Sequence, residues 1–307
     1  MEAINIPTPK VYGYGLASDP SNRVGVCYIM MQALPGKPYH AHEASPDQKN
    51  RVIEQVADYL VEISKHPLSF IGSFVMKNNQ PEISAVASNR FVALGTYGPF
   101  NSSSDYITSI IEQYMDLIAD GQLHHSHPLE AFLFYHFLHE NKDSLNKPDL
   151  PGQFFLKHVD DKGDHLLIDD EYNITGIIDW QFARIVPAAE AFGPSYVTAD
   201  LASLYSSSSG LSADDRLLAD ALRSRGCENL AAFAEGNETV RRFHHGLANE
   251  LTKDEARGVL RGMVSCVLGR EPDDLYALIE EMCMKCRNDP RWESIQALLQ
   301  EQEGETH

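Results

Sequence analysis

The sequence predicts an α+β protein that is mostly helical, with its β-structure confined to two places. Three observations predict it. Two β-rich runs, at 11–15 and 24–31, are separated by the turn residues Asp19-Pro20-Ser21-Asn22. Short apolar runs bracket a dense polar loop between 154 and 180. Beyond about residue 198 the apolar residues recur at helical spacing.

The chain has 307 residues, 43% of them hydrophobic. That content supports a sizeable core and excludes a largely disordered chain. At roughly 100–200 residues per domain, one large domain or two lobes is expected. Lys and Arg total 25 against 44 Asp and Glu, a net charge of −19. Such a surface repels phosphate backbones and anionic lipids. No basic run exceeds Arg241-Arg242, so neither nucleic acid nor membrane is an expected partner. No stretch reaches the ~20 apolar residues of a membrane span, and Met1-Glu2-Ala3-Ile4-Asn5 lacks the pattern of a signal peptide. Five cysteines, an odd and sparse set, fit a reducing compartment, so a cytoplasmic location is expected. Cys283 and Cys286 have the spacing of a redox or metal pair but no second pair, and read as structural.

Along the chain, residues 1–34 read as a hairpin that Leu34-Pro35-Gly36-Lys37-Pro38 ends. Asp47 is a candidate cap for a helix carrying Val52, Val56, Tyr59, Leu60 and Ile63. Residues 68–104, rich in Gly, Pro, Ser and Asn, read as a long irregular excursion. Helical patterns follow at 104–119 and 128–140, where Phe132, Leu133, His136 and Phe137 form a core stripe. The stretch 154–180 reads as strand, polar loop, strand, turn, strand. Helices beyond 198 break near Ser206–Gly210, Gly226, Glu235-Gly236-Asn237 and Glu271-Pro272, and 301–307 reads as a frayed tail. His124-His125-Ser126-His127 and His244-His245 lack nearby carboxylate or cysteine company and read as surface histidines.

The polar loop carries the chemistry. Residues 158–165 hold two His and three Asp, displayed between apolar strands. Asp179 follows two isoleucines 19 residues after Asp160. An acid at the end of a buried strand needs a partner, and a divalent cation is an economical one. Two such acids suit phosphoryl transfer, where one Asp takes the proton of an attacking hydroxyl and another holds Mg²⁺ on the phosphates.

Here the chain resembles the aminoglycoside phosphotransferase and choline kinase-like family, which has a protein kinase-like fold. The resemblance rests on His158 and Asp160 in the loop, Ile178-Asp179-Trp180 on the following strand, the stretches 7–14 and 28–36, and Ala191-Phe192-Gly193-Pro194-Ser195, which is similar to a branch common in filamentous fungi. It covers about residues 6–205. The resemblance implies ATP as donor, with the adenine edge received by the backbone of Met30, Met31, Gln32 and Ala33. It implies Asp160 as base or hydroxyl-positioning group, Asp179 as Mg²⁺ ligand and His158 as an anchor of the loop. It also implies a partial amino-terminal lobe and hinge at 1–34, and a helical carboxy-terminal lobe at 35–300 that carries the catalytic hairpins at 154–180.

Two departures stand out. His165 occupies the place of the usual Asn, and imidazole is a poor Mg²⁺ ligand. Asp164 is the neighbouring oxygen donor, and His165 would favour Mn²⁺. Asp161 and Lys162 also replace the usual apolar or His-Pro residues. Second, only 29 residues precede Met30, and Lys10 is the one lysine among them. A complete kinase-like amino-terminal lobe takes on the order of 60 residues. A truncated lobe lacking the glycine-rich loop and the Lys–Glu pair is therefore expected.

Two other readings stand beside the kinase. One is a weak or inactive pseudokinase-like binding module. The other is a metal-dependent hydrolase built on the His158–His165 cluster. The expected acceptor is a small-molecule hydroxyl; the acid excess is compatible with a cationic one. Asp200, Asp214, Asp215, Glu250 and Trp292 are candidates to touch it.

Overall fold

The computed structural model describes residues 4–78, 80–87, 97–145, 153–204, 210–236, 238–245, 247 and 251–305. Most of the expected break at Ser206–Gly210, Asn237, Glu250 and the last two residues of the expected tail lie outside that set.

The elements run β1 (Val11–Gly15), β2 (Tyr28–Met31), β3 (Lys37–Pro38), α1 (Pro46–Ser64), β4 (Ser73–Lys77), β5 (Gln80–Ser84), α2 (Ser103–Ala119) and α3 (Pro128–Glu140). Then come β6 (Phe155–Lys157), β7 (Leu166–Ile168), β8 (Ile174–Ile177), β9 (Arg184–Val186), α4 (Ala188–Phe192), α5 (Leu201–Leu204) and α6 (Ala213–Ser224). The chain closes with α7 (Glu228–Ala234), α8 (Thr239–His245), α9 (Lys253–Leu268), α10 (Leu275–Cys286) and α11 (Trp292–Glu305). The α+β expectation holds. Among the described residues the β-structure is four small antiparallel sheets: β1-β2, β3-β7-β8, β4-β5 and β6-β9.

Several local expectations are corrected. The excursion at 68–104 contains the hairpin β4–β5. Residues ahead of that hairpin are stitched to the central strands, with Leu68 bridging Phe154 and Gly72 bridging Ile185. Its Gly- and Asn-rich composition hid strands whose order comes from these partners. Ser45, not Asp47, caps α1, in a reciprocal capping box with Gln48; Asp47 lies in the first turn. Helix α11 continues through Glu305, so residues 301–305 of the expected tail are helical.

Two cores flank the middle strands. One gathers Tyr106, Ile110 and Tyr114 of α2, Phe132, Phe134 and Tyr135 of α3, and Val259 and Met263 of α9. The other gathers Val52, Ile53 and Ala57 of α1, Ile168, Ile174, Phe192, Leu218 and Leu222. The alternation of strand side chains joins them. Phe154 and Ile185 face the first core, and their neighbours Phe155 and Val186 face the second. The polar loop after β6 is thus anchored where both cores meet. Helix α3 is buried almost all round, as a central helix should be.

The expected surface histidines are not all at the surface. His124 and His127 are 1% and 0% exposed, with rings 5.1 Å apart. His244 is packed against Glu190 at 3.1 Å. Sequence neighbours carried no sign of Glu190, which lies on another element. Cys283 and Cys286 are free thiols on α10, as expected of structural cysteines; burial pushes the Cys286 thiol up to about 12. By contrast β1–β2 stands away from both cores, with Tyr12, Tyr14, Ile29 and Met30 mostly exposed.

Candidate active site

The loop is built from its anchors outward. His158 follows β6 and is buried; its Nε2 donates to the Ile178 carbonyl at 2.7 Å. Burial lowers its pKa, so the ring is neutral. Trp180 packs edge-on against His158 with centroids 4.9 Å apart, and its indole N–H donates to the Ile177 carbonyl. Those contacts tie the start of the loop to the end of β8. Asp179 lies between the tied residues with φ of 59°. Aspartate tolerates that left-handed backbone better than most residues.

Helix α1 steadies the other end. Gln55 accepts from the Ile174 N–H at 2.7 Å and donates to the Tyr172 carbonyl, while Arg51 donates to Asn173. Asp169 accepts from the backbone N–H groups of Glu171 and Asn173, which closes the β7–β8 turn. Close approach also requires Gly163: a Cβ there would come within 2.8 Å of the Tyr39 carbonyl oxygen.

Three of the four expected chemical residues converge. His165 Nδ1 lies 2.8 Å from the Asp160 carbonyl oxygen, an atom that can only accept, so Nδ1 carries the proton. The Nε2 lone pair then faces Asp179 Oδ2 at 3.5 Å. Two electron-rich groups that close call for a cation between them, proton or metal. The carboxylates of Asp160 and Asp179 are about half exposed, at 45% and 50%. Asp164 shares Lys162 with Asp160: the Lys162 Nζ sits 3.4 Å from Asp160 and 3.9 Å from Asp164. No group of three or more His, Cys, Asp or Glu side chains that would cage a metal exists among the described residues.

A cleft of about 540 Å³ opens beside Asp160, within the ~300–1,000 Å³ range of small-molecule sites. Its walls include Tyr39, His42, Asp160, Asp164 and Tyr196. Burial, with Asp214 and Tyr172 adding to it, pushes the Tyr39 phenol up to about 12, so this tyrosine, packed in the second core, stays neutral. Met30, Met31, Gln32 and Ala33 line neither this cleft nor the smaller apolar cavity behind the loop. They lie on and just after the exposed ribbon β1–β2, whose continuation docks where the Thr175 hydroxyl donates to the Pro35 carbonyl.

Among the distant candidates, Asp215 is ruled out as a substrate contact. It is buried and binds the Arg241 guanidinium and the Thr198 hydroxyl. Trp292 packs on Phe132. Asp200 caps the start of α5 and Asp214 faces Lys49 at 4.0 Å. The sequence reading did not find Tyr39, Tyr196 or the Lys157–Asp161 pair. Only the unusual charge at 161 signalled any of them.

A sequence profile of the aminoglycoside phosphotransferase group, described as the phosphotransferase enzyme family, matches residues 1–235. The chain belongs to this family. Membership carries the protein kinase-like fold and places the protein among the small-molecule kinases. No curated protein matches it. Among solved structures it is similar to a candidate aminoglycoside phosphotransferase from Ralstonia eutropha, at 13% identity and a TM-score of 0.45, covering 96% of this chain and 80% of that one. It is also similar to ADP-bound aminoglycoside phosphotransferase APH(2'')-Ib, at 15% identity, TM-score 0.43 and coverage of 86% and 78%. A third is a thermostable mutant of APH(4)-Ia with ADP and hygromycin B, at 17% identity, TM-score 0.41 and coverage of 94% and 77%. Identities and scores this low carry no argument, and the assignment to the family rests on the sequence profile. Among the described residues no helix is long and apolar enough to cross a membrane.

Proposed function

We propose that this protein transfers a phosphoryl group from ATP to a hydroxyl of a small molecule held in the cleft beside Asp160. The observation that supports the reading is His165, whose Nδ1 bonds the Asp160 carbonyl and whose Nε2 faces the Asp179 carboxylate, so that one ring touches both of the expected acidic residues. Asp160 accepts or orients the hydroxyl proton. Lys162, close to Asp160 and Asp164, moderates the repulsion between these acids and incoming phosphate.

The oxygen donors of the loop fit a divalent cation. Mg²⁺ is commonly held by one or two carboxylates together with substrate phosphates, and Asp179 is a half-exposed carboxylate suited to that. Asp164 is the second oxygen donor in reach of the loop; His165 suits Mn²⁺ better than Mg²⁺. When bound, the cation would neutralise charge on the phosphates. Residues 1–34 serve in this reading as a partial amino-terminal lobe and hinge, and 35–300 as the carboxy-terminal lobe. Tyr39, Tyr196 and the acids of the cleft suit an acceptor with hydroxyls and a positive charge, in agreement with the acidic chain.

The exposed ribbon favours one second reading. Met30 and Met31 are 57% and 47% exposed and meet no wall of the cleft, as a binding module without a nucleotide site would have it. A thermal-shift titration with ATP and Mg²⁺ or Mn²⁺ separates the two. A ligand specific to the folded state at a hundredfold excess over Kd stabilises by about 2.7 kcal/mol. Metal-dependent stabilisation that disappears in Asp179→Gly, a change the positive φ accepts, supports the kinase. No shift with either metal overturns it in favour of the binding module.

A further inference from the structure

Asp161 differs from its neighbour Asp160 in everything but chemistry. Its side chain is 19% exposed and both its oxygens are engaged. Oδ2 accepts from Lys157 Nζ at 3.0 Å, and Oδ1 accepts from the backbone N–H of Tyr196 at 3.1 Å. Lys157, the last residue of β6, is itself nine-tenths buried. Its strand register places it opposite Arg184 of β9. One carboxylate therefore ties three pieces together: the central strands, the loop carrying Asp160, and the segment of Tyr196, Val197 and Ala199 that walls the cleft.

Stability alone does not account for this pair. Taking both charges out of water costs several kcal/mol per ion, and a well-packed apolar pair is often as stable or more so. What position 161 adds is an acceptor oxygen aimed at the Tyr196 N–H. A hydrogen bond from a backbone amide to that oxygen joins the loop to the wall of the cleft. The residue just before Asp161, Asp160, inherits that restraint through the backbone.

We propose that Asp161, through the hydrogen bond its Oδ1 accepts from the Tyr196 N–H, is a positioning residue that fixes the Tyr196 wall of the cleft relative to Asp160. The proposal rests on the phosphotransferase reading for its catalytic consequence, and on the two contacts of the Asp161 carboxylate for its structural one. Asp161 touches neither donor nor acceptor; it sets the gap across which Asp160 meets the hydroxyl. A displacement of about 1 Å across such a gap is enough to lower turnover on the order of a hundredfold.

Two double variants of the full chain test this. Lys157→Met with Asp161→Asn removes both charges but keeps an oxygen for the Tyr196 N–H. Lys157→Met with Asp161→Leu removes the charges and the oxygen. Amide exchange at Tyr196, read by mass spectrometry, should stay within about twofold of wild type in the first and rise tenfold or more in the second. Hydrolysis of Mg²⁺-ATP, with water as acceptor, should fall at least tenfold in the leucine variant at unchanged ATP affinity, and be largely kept in the asparagine variant. Should the leucine chain not fold, Lys157→Met with Asp161→Ala takes its place. Equal exchange and equal turnover in the two doubles overturn the proposal, because a merely structural ion pair treats both alike. If the wild type neither binds nor hydrolyses ATP, the phosphotransferase reading falls, and the Tyr196 exchange alone decides whether Asp161 holds the wall.

Discussion

His165 Nε2 stands 3.5 Å from Asp179 Oδ2 while its Nδ1 binds the Asp160 carbonyl at 2.8 Å. A residue that departs from the family pattern therefore occupies the junction between the two acids. Its substitution tests what the departure does. His165→Asn puts a hard oxygen donor beside Asp179. The expected outcome is an ATP-dependent thermal shift with Mg²⁺ that rises to match or exceed the one with Mn²⁺. Titrations with the two metals, in wild type and variant, check it; an unchanged metal preference removes His165 from the metal site.

Asp160→Asn should leave the fold intact, because this carboxylate is half exposed and faces the cleft. A general base contributes typically 10²–10⁴-fold. The expected result is a loss of ATP turnover of that size, with a melting temperature within a few degrees of wild type. Turnover that survives the change would place the base elsewhere.

The buried group around Glu190 predicts a pH dependence. Arg184 lies 3.0 Å from one Glu190 oxygen, and His244 and Tyr106 each lie 3.1 Å from the other. Burial lowers the His244 pKa; for Glu190 burial acts against the charge, but the Arg184 cation and the hydrogen bonds from His244 and Arg184 outweigh it and hold the carboxyl well below its usual range. The glutamate is therefore anionic, paired with Arg184, and His244 is a neutral donor. An unfolded histidine takes a proton below about 6.5 and the folded His244 does not, so the unfolded state binds more protons and acidification through 6.5 destabilises the fold. Melting temperatures of wild type and His244→Gln should converge as the pH falls from 7.5 to 5.5. A gap that widens on acidification would show a charged His244 in the folded protein.

Core truncation separates the cores from the exposed surface. Phe132 is fully buried against His136 and Trp292, so Phe132→Ala should cost about 3–5 kcal/mol. Leu268, half exposed at the end of α9, should tolerate alanine within about 0.5 kcal/mol. Denaturant midpoints for the two variants measure the difference.

Much of the fold was legible where pattern and neighbours agree. The helical spacing of Val52, Val56, Leu60 and Ile63 located α1, and apolar runs bounded by polar residues located β6, β7 and β8. The β4–β5 hairpin was not legible, because Gly72 and Leu68 are ordered by strands more than eighty residues away. His124, His127 and His244 misled for a related reason: burial depends on what packs over a residue, and Glu190 is 54 positions from His244. At the site, the residue types and spacing of His158, Asp160 and Asp179 were readable. Tyr39 and Tyr196 were not, since each reaches the cleft from a different element, and Lys157, buried at the end of β6, gave no sign of its bond to Asp161.

The sequence by itself determined the family, the α+β class and the acids able to carry the chemistry, because local propensity and short motifs record those directly. Only the tertiary structure decided which of these acids meet. It turned Asp179 to His165, gave Asp164 to Lys162, buried Asp215 against Arg241 and closed Asp161 between Lys157 and Tyr196. A carboxylate's role is set by the charges and donors within a few ångströms of it, and those arrive from elements far apart in the chain.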